Sequence, residues 1–322
     1  MLSAYAASID REDPLSGLVI GDLAEQPTPE DWVTVQVRAA SLNHHDIWSL
    51  KGQGLPAERL PMVLGTDAAG VTLDGREVIV HSVIGDPEAG GGDETLDPRR
   101  SLLSELYPGT LAERVRVPAR NLVAKPAGLS FEEAACLPTA WLTAYRMIAT
   151  KSATSPGDTI LVQGAGGGVS SALIALGRAM GLRVWATSRD EAKRTWALTI
   201  GADAAFEPGA RLPERVDAVM ETVGEATWGH SLKALRPGGR VVVSGATSGA
   251  SPPADLNRVF FLQLSVVGST MGTKAELESL AALLVETGLR PAIDRVLPLA
   301  DARAALAAVH AGRVRGKIVL VP

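Results

Sequence analysis

Residues 33–37, Val33-Thr34-Val35-Gln36-Val37, alternate apolar and polar positions, the period of a strand with one buried face. Residues 75–80 and 112–117 repeat the alternation, so the first part of the chain is predicted to be β-rich. Between them the pattern dissolves into Asp86-Pro87-Glu88-Ala89-Gly90-Gly91-Gly92-Asp93, which predicts an exposed loop spanning 81–109. The texture changes after Pro126. Ser130-Phe131-Glu132-Glu133 has the spacing of a capping box, in which Ser and Glu satisfy orphan amides at a helix start. The helix it opens is predicted to run to about Ile148. From Thr159 strands and helices alternate. Strands are expected at 159–163, 182–187, 202–206, 216–220, 240–244 and 264–268, with helices at 171–180 and 190–200. Strands joined by helical crossovers build a parallel sheet covered on both faces. Beyond Gly272 the pattern gives a helix at 275–286, a strand, a helix at 300–311 and a last strand at 317–321.

Composition adds limits. A chain of 322 residues exceeds the roughly 250–300 at which one core stops growing, so two domains are expected. The net charge of −5 offers no basic footprint for a nucleic acid. No apolar run approaches the roughly 20 residues of a membrane span. Met1-Leu2-Ser3-Ala4-Tyr5 lacks the basic and apolar regions of a secretory signal, so a cytoplasmic location is expected. The single cysteine, Cys136, excludes an intrachain disulfide and any multi-cysteine metal site. Its apolar neighbours make it a buried small hydrophobe rather than a nucleophile.

The strongest chemical signal is Gly164-Ala165-Gly166-Gly167-Gly168-Val169-Ser170, at the first strand–helix junction of the alternating segment. There a glycine turn lets a pyrophosphate approach helix N-terminal amides. The spacing departs from the strict dinucleotide fingerprint, because its sixth position is Val169. The next strand ends in Thr187-Ser188-Arg189, where an NAD-selective site would carry an acid for the ribose 2′-hydroxyl. Ser188, Arg189 and Lys193 suit a 2′-phosphate instead, which predicts NADPH. The alternative is that Ser188 caps the following helix with Glu191, Arg189 being a solvated charge. The neighbouring Asp190 is expected to point into the first helical turn.

In order and spacing, seven segments resemble the medium-chain dehydrogenase/reductase superfamily, and within it the zinc-free quinone-oxidoreductase-like branch. They are Leu42-Asn43-His44-His45-Asp46, Leu64-Gly65-Thr66-Asp67-Ala68-Ala69-Gly70, Gly109-Thr110-Leu111-Ala112-Glu113, the glycine turn, Leu235-Arg236-Pro237-Gly238-Gly239-Arg240, Gly268-Ser269-Thr270-Met271-Gly272-Thr273 and Gly316-Lys317-Ile318-Val319-Leu320. The resemblance implies a doubly wound Rossmann domain, placed at 126–272, inserted in a GroES-like β-rich catalytic domain made of 1–125 and 273–322. It also implies an active site in the cleft between them.

In the zinc members the catalytic metal is held at the positions of Asn43, Thr66-Asp67 and, nearby, Thr139. Amide, hydroxyl and one carboxylate make a poor zinc set. The lobe for a structural zinc corresponds to the cysteine-free loop after His81. No zinc is therefore expected. His44, His45, Asp46 and His81 are weighed as a substitute site and set aside, since neighbouring strand residues diverge, an objection a helical turn would weaken.

Without a Lewis acid, hydride transfer depends on positioning and hydrogen-bond donors, which favours quinones and α,β-unsaturated carbonyls as small-molecule acceptors. Alternatives are an alcohol dehydrogenase and a non-catalytic NADPH-binding protein. By resemblance Asn43 stands beside the substrate oxygen or nicotinamide ribose, and His45 where relatives keep a proton relay. Trp48 and Trp141 are either cleft-lining or core. The cofactor set comprises Thr139 at the nicotinamide, Gly166, Gly167, Gly168 and Val169 at the pyrophosphate, and Thr187, Ser188, Arg189 and Lys193 at the adenosine end. Gly245, Ala246, Thr270, Met271 and Gly272 are expected at strand ends facing the nicotinamide half, with Lys317 an exposed cation or a pyrophosphate ligand. The apolar segment 260–267 predicts a homodimer through the sheet edge.

Overall fold

A computed structural model describes residues 1–322. The chain divides into two compact units, one of Met1–Leu142 with Met271–Pro322 and the other of Thr143–Thr270. The mixed architecture is the expected one, a doubly wound unit inserted in a β-rich unit that both chain ends build. The expected boundary at 126 shifts. Phe131–Ala135 and the following π-helical turn Leu137–Trp141 belong to the first unit, because the helix packs on the strands Val33–Ser41 and Asp67–Thr72.

The Thr143–Thr270 unit carries a six-stranded parallel sheet. Its order in space is Ala204–Phe206, Arg183–Thr187, Thr159–Val162, Val216–Glu221, Leu235–Val243 and Ser265–Gly268. The order reverses beside Thr159–Val162, and ligands bind outside the carboxyl ends of strands at such a switch point. The four residues of Thr159–Val162 are buried, as a strand covered on both faces requires. The helix Gly168–Ala179 lies against it through Gly177, where a Cβ would come within 2.8 Å of Val184 and 3.0 Å of Ile160.

In the first unit, Val33–Ser41 is central and pairs with Asp67–Thr72, Arg114–Val117 and the last strand, Lys317–Val321. Ser41 lies opposite both Asp67 and Val319. This register sets Asp67, the segment after Ser41 and the start of the C-terminal strand side by side. After Ser41 the chain turns into the helix His44–Leu50, whose first turn is held by Asp46 Oδ2 accepting the Asn43 amide at 2.8 Å. The strand geometry that would have kept His44 and His45 apart therefore ends before them.

The loop after His81 is less exposed than its composition suggests. Glu94, Thr95 and Asp97 are buried. The two carboxylates accept backbone amides: Asp97 takes those of Asp86 and Arg99, and Glu94 takes that of Lys274. Two short strands, Val83–Ile84 and Ser101–Leu102, pair across the loop.

Candidate active site

The sheet register gathers a buried polar cluster. The Lys317 ammonium donates to Leu42 O at 2.6 Å, Asn43 Oδ1 at 2.5 Å and Asp67 Oδ2 at 3.2 Å. Asn43 Nδ2 donates to Asp67 Oδ2 at 2.8 Å and to Thr66 Oγ1 at 3.1 Å. Thr66 and Thr139 are joined through their hydroxyls at 2.9 Å, and Ser41 Oγ donates to Asp67 Oδ2 at 2.7 Å. Lys317 is 2% exposed and Asp67 fully buried, so solvent and salt screen this pair far less than a surface pair.

Two expectations are corrected here. Lys317 is no exposed cation and no pyrophosphate ligand: an ammonium has three hydrogens, and all three are committed within this cluster. Asn43 offers no free donor to a substrate, since both hydrogens of its amide and its carbonyl oxygen already have partners. Of the four side chains Asn43, Thr66, Thr139 and Lys317, Thr139 alone is more than marginally exposed. Sequence reasoning placed Thr139 at the nicotinamide and missed its link to Thr66. The signal was there in the coincidence of Thr66 and Thr139 at two metal-ligand positions.

His45 sits on the first turn of its helix with Nε2 at 3.1 Å from Glu105 Oε1. Glu105 was not foreseen; it lies in the irregular loop, and its other oxygen accepts the Leu102 amide. His44 packs edge-on against Trp48, and burial, followed by Lys51 and His310, lowers its pKa. Trp141 is a core residue, 1% exposed, whereas Trp48 is half-buried. Asp46 is fully buried, and that burial pushes its carboxyl up to about 6 against the opposing pull of the Asn43 amide, His45 and Lys317. His81 bonds Gly272 O at 2.9 Å, and burial lowers its pKa. No group of three or more His, Cys, Asp and Glu side chains is arranged to hold a metal. Cys136 is buried, donates to Glu132 O at 3.2 Å, and is pushed up to about 12 by burial, which leaves no thiolate at neutral pH.

The second unit holds the nucleotide candidates at the switch point. Gly164 has φ of +88°, a conformation that glycine adopts without the steric penalty of a Cβ. The Lys193 side chain crosses Gly166 so closely that a Cβ there would lie 2.6–2.8 Å from its Cδ, Cε and Nζ. Gly167 caps the helix Gly168–Ala179 and its amide donates to Ser170 Oγ. The amides of Gly168 and Val169 open the helix, where no intrahelical acceptor exists. Thr187 is buried, accepting the Gly164 amide and donating to Gln163 Oε1. It braces the turn rather than facing a ligand.

At the end of that strand the cap of the next helix is Asp190, which accepts the amides of Ala192 and Lys193. The alternative cap at Ser188 is thereby corrected, and the Asp190 carboxylate is occupied as expected. Arg189 is exposed. Arg194, unremarked in the sequence, fixes this corner by donating to Ser188 O and Arg189 O. Gly245 and Ala246 follow the strand Leu235–Val243, and a Cβ on Gly245 would meet Thr222 O at 3.0 Å. Thr270 ends the second unit, while Met271, with φ of +47°, and Gly272 belong to the first.

Comparisons with known proteins cover both units. The model of the alcohol dehydrogenase GroES-like domain matches residues 29–127, and that of the zinc-binding dehydrogenase matches residues 168–286. The 2-methylene-furan-3-one reductase of Solanum lycopersicum is 31% identical over 302 residues, covering 91% of this chain and 72% of its own. A crystal structure of an NAD-dependent alcohol dehydrogenase is 34% identical with a TM-score of 0.90 over 100% of both chains. The structure of the 2-octenoyl-CoA carboxylase reductase CinF with NADP and 2-octenoyl-CoA is 26% identical with a TM-score of 0.91, covering 99% of this chain and 87% of its own. Two domain families in their expected order, and full-length likeness at over 30% identity, lead to one conclusion: the chain belongs to the medium-chain dehydrogenase/reductase superfamily of oxidoreductases.

Proposed function

We propose that this protein is an NADPH-dependent reductase of α,β-unsaturated carbonyl compounds that works without zinc, quinones being a second class of acceptor. The carrying observation is the cluster at the family's metal-ligand positions. There an amide and two hydroxyls bond one another, and the one carboxylate, Asp67, is engaged by that amide and by the Lys317 ammonium. Zinc favours thiolate, imidazole and carboxylate, and a divalent cation beside a buried ammonium meets like-charge repulsion. The donor set therefore does not fit the metal.

The glycine turn does fit a dinucleotide. Gly166 lets the Lys193 side chain pass directly over the turn, its Cδ, Cε and Nζ 2.6–2.8 Å from where a Cβ would stand, which brings an ammonium to the turn. Gly168 and Val169 present helix-start amides suited to a pyrophosphate. Ser188 and Arg189 suit a 2′-phosphate, while the neighbouring Asp190 turns its Oδ1 into the helix it caps. When bound, NADPH supplies the hydride. A conjugated acceptor needs little polarisation, since the charge left by hydride addition at the β-carbon spreads to the oxygen. The relatives point the same way, one reducing a methylene-furanone and one solved with NADP and an enoyl thioester. The likeness to an NAD-dependent alcohol dehydrogenase keeps alcohol oxidation as the competing reading.

The test is a substrate screen on purified protein, following NADPH absorbance with 2-cyclohexenone, crotonyl-CoA, 1,4-naphthoquinone and simple aldehydes. Alcohols are offered with NADP⁺ and NAD⁺, and metal content is measured in parallel. Reduction of a conjugated acceptor, without zinc and insensitive to chelator, is expected. Stoichiometric zinc with chelator-sensitive alcohol oxidation would overturn the proposal.

A further inference from the structure

We infer that Thr139 is a catalytic hydrogen-bond donor, the open end of a one-way chain that starts at the buried Lys317 ammonium and runs through Asn43 and Thr66. The direction follows from counting hydrogens. An ammonium only donates, so Lys317 presents a hydrogen to Asn43 Oδ1 at 2.5 Å. That fixes the amide with its nitrogen towards Asp67 Oδ2 and Thr66 Oγ1. Thr66 therefore accepts from Asn43. Thr66 is fully buried, and the acceptor within reach of its own hydrogen is Thr139 Oγ1 at 2.9 Å. The reverse polarity would leave the Thr66 hydrogen buried without a partner, which is the costly arrangement. Thr139 is then obliged to accept from Thr66, and its own hydrogen points out of the cluster. It is the half-buried member of the chain, and it sits on the π-helical turn Leu137–Trp141, a local widening often found at functional sites.

Each donor in such a chain polarises the next, so the charge on Lys317 makes Thr139 a stronger donor than an isolated hydroxyl. Asp67 Oδ2, which takes hydrogens from Ser41, Asn43 and Lys317, balances that charge and holds the chain's head in place. On the reading of an enone reductase, on which this role rests, Thr139 donates to the carbonyl oxygen as it gains enolate character. No proton is transferred along the chain. Thr139 keeps its hydrogen, and the α-carbon takes its proton from solvent. Lys317, Asn43 and Thr66 are positioning residues.

Two measurements test this separately from the substrate reading. Neutron diffraction on deuterated crystals of the whole protein reads the polarity directly. Deuterium on Thr66 directed at Thr139 Oγ1 is expected; deuterium on Thr139 directed at Thr66 overturns the chain whatever the substrate is. The second is steady-state reduction of 2-cyclohexenone by NADPH. Thr139→Val should lower kcat about ten- to a hundredfold, below the usual loss for an oxyanion donor because an enolate is less basic. Thr139→Ser should recover most of that loss. Since Lys317→Met strands the Asp67 charge, the double variant Lys317→Met/Asp67→Asn is measured with it. It should lower kcat less than Thr139→Val does, and adding Thr139→Val to it should cost less than in the wild type. A Thr139→Val enzyme with wild-type kcat, or strictly additive losses, overturns the role. If the wild type ignores enones but oxidises an alcohol, the proposed function falls, and the same variants on that alcohol judge the donor role.

Discussion

Asp46 carries the clearest consequence of burial at a single residue. Its carboxyl is fully buried and raised from 3.8 to about 6, burial being the largest cause. One oxygen accepts the Asn43 amide and the other has no partner, which suits a protonated acid. The folded state thus binds the proton more tightly than the unfolded chain. The stability this gives is complete below about pH 4 and is lost as pH rises to about 6 and above, a swing of roughly 3 kcal/mol for about two pKa units. Asp46→Asn keeps the acceptor and removes the ionisation. Its stability relative to wild type should climb between about pH 4 and pH 7 in urea titrations; a flat difference would show that Asp46 stays ionised throughout. At the other unit, Arg189 is exposed and costs little to replace. Losing one charge-assisted bond to a 2′-phosphate is worth about 1.5–3 kcal/mol, so Arg189→Ala should weaken NADPH about 10–100-fold. Fluorescence titration should find NADH binding unaffected. Equal affinity of the wild type for both cofactors would refute the assignment.

At the scale of elements, the strand Asp67–Thr72 ties the cluster to the sheet. Gly70 lies where the register slips between Val37 and Ala39, and a Cβ there would lie 2.1 Å from the carbonyl oxygen of Gln36. A backbone atom in a central strand cannot retreat as a side-chain tip can. Gly70→Ala should therefore destabilise by at least about 2 kcal/mol, in the range of overpacked cores. Because the same strand begins with Asp67, enone turnover should fall in the folded fraction as well. A variant with wild-type melting temperature would mean the strand shifts freely. The capping box at Ser130 is a contrasting case of local determination. Its two reciprocal bonds, Glu133 N to Ser130 Oγ and Ser130 N to Glu133 Oε2, follow from spacing alone.

On the scale of the whole molecule, the sheet of the Thr143–Thr270 unit ends in an open edge, Ser265–Gly268, with Val266 half exposed and Phe260 and Phe261 at 62% and 78%. No helix of the molecule is long and apolar enough to cross a membrane, so these side chains are not part of a membrane-spanning helix. We propose that a second copy covers this edge, since unpaired strand groups beside apolar side chains favour pairing. Sedimentation at micromolar concentration should show a dimer and Phe261→Asp a monomer; a monomeric wild type would refute it. The helices Glu225–Ala234 and Leu256–Phe261 of the inserted unit went unforeseen, but its strands, its other helices, the glycine turn and the return of the last strand were readable in the sequence. Each is encoded by periodicity or by residues adjacent in the chain, and a period of two or 3.6 survives whatever packs on it. The site was readable only in part. That an amide and two hydroxyls stand at 43, 66 and 139, where the resemblance implies metal ligands, needed identities alone, but the fate of Lys317 did not follow from them. Before a strand, a lysine defaults to solvent. Only the pairing of 317–321 with 33–41, and of 33–41 with 67–72, sets its ammonium against Asn43 and Asp67. The same register decides that the Asn43 amide is spent internally and that Thr139 keeps the free hydrogen. Hydrogen bonds between residues up to 275 positions apart leave no trace in local pattern, because they depend on which strands become neighbours.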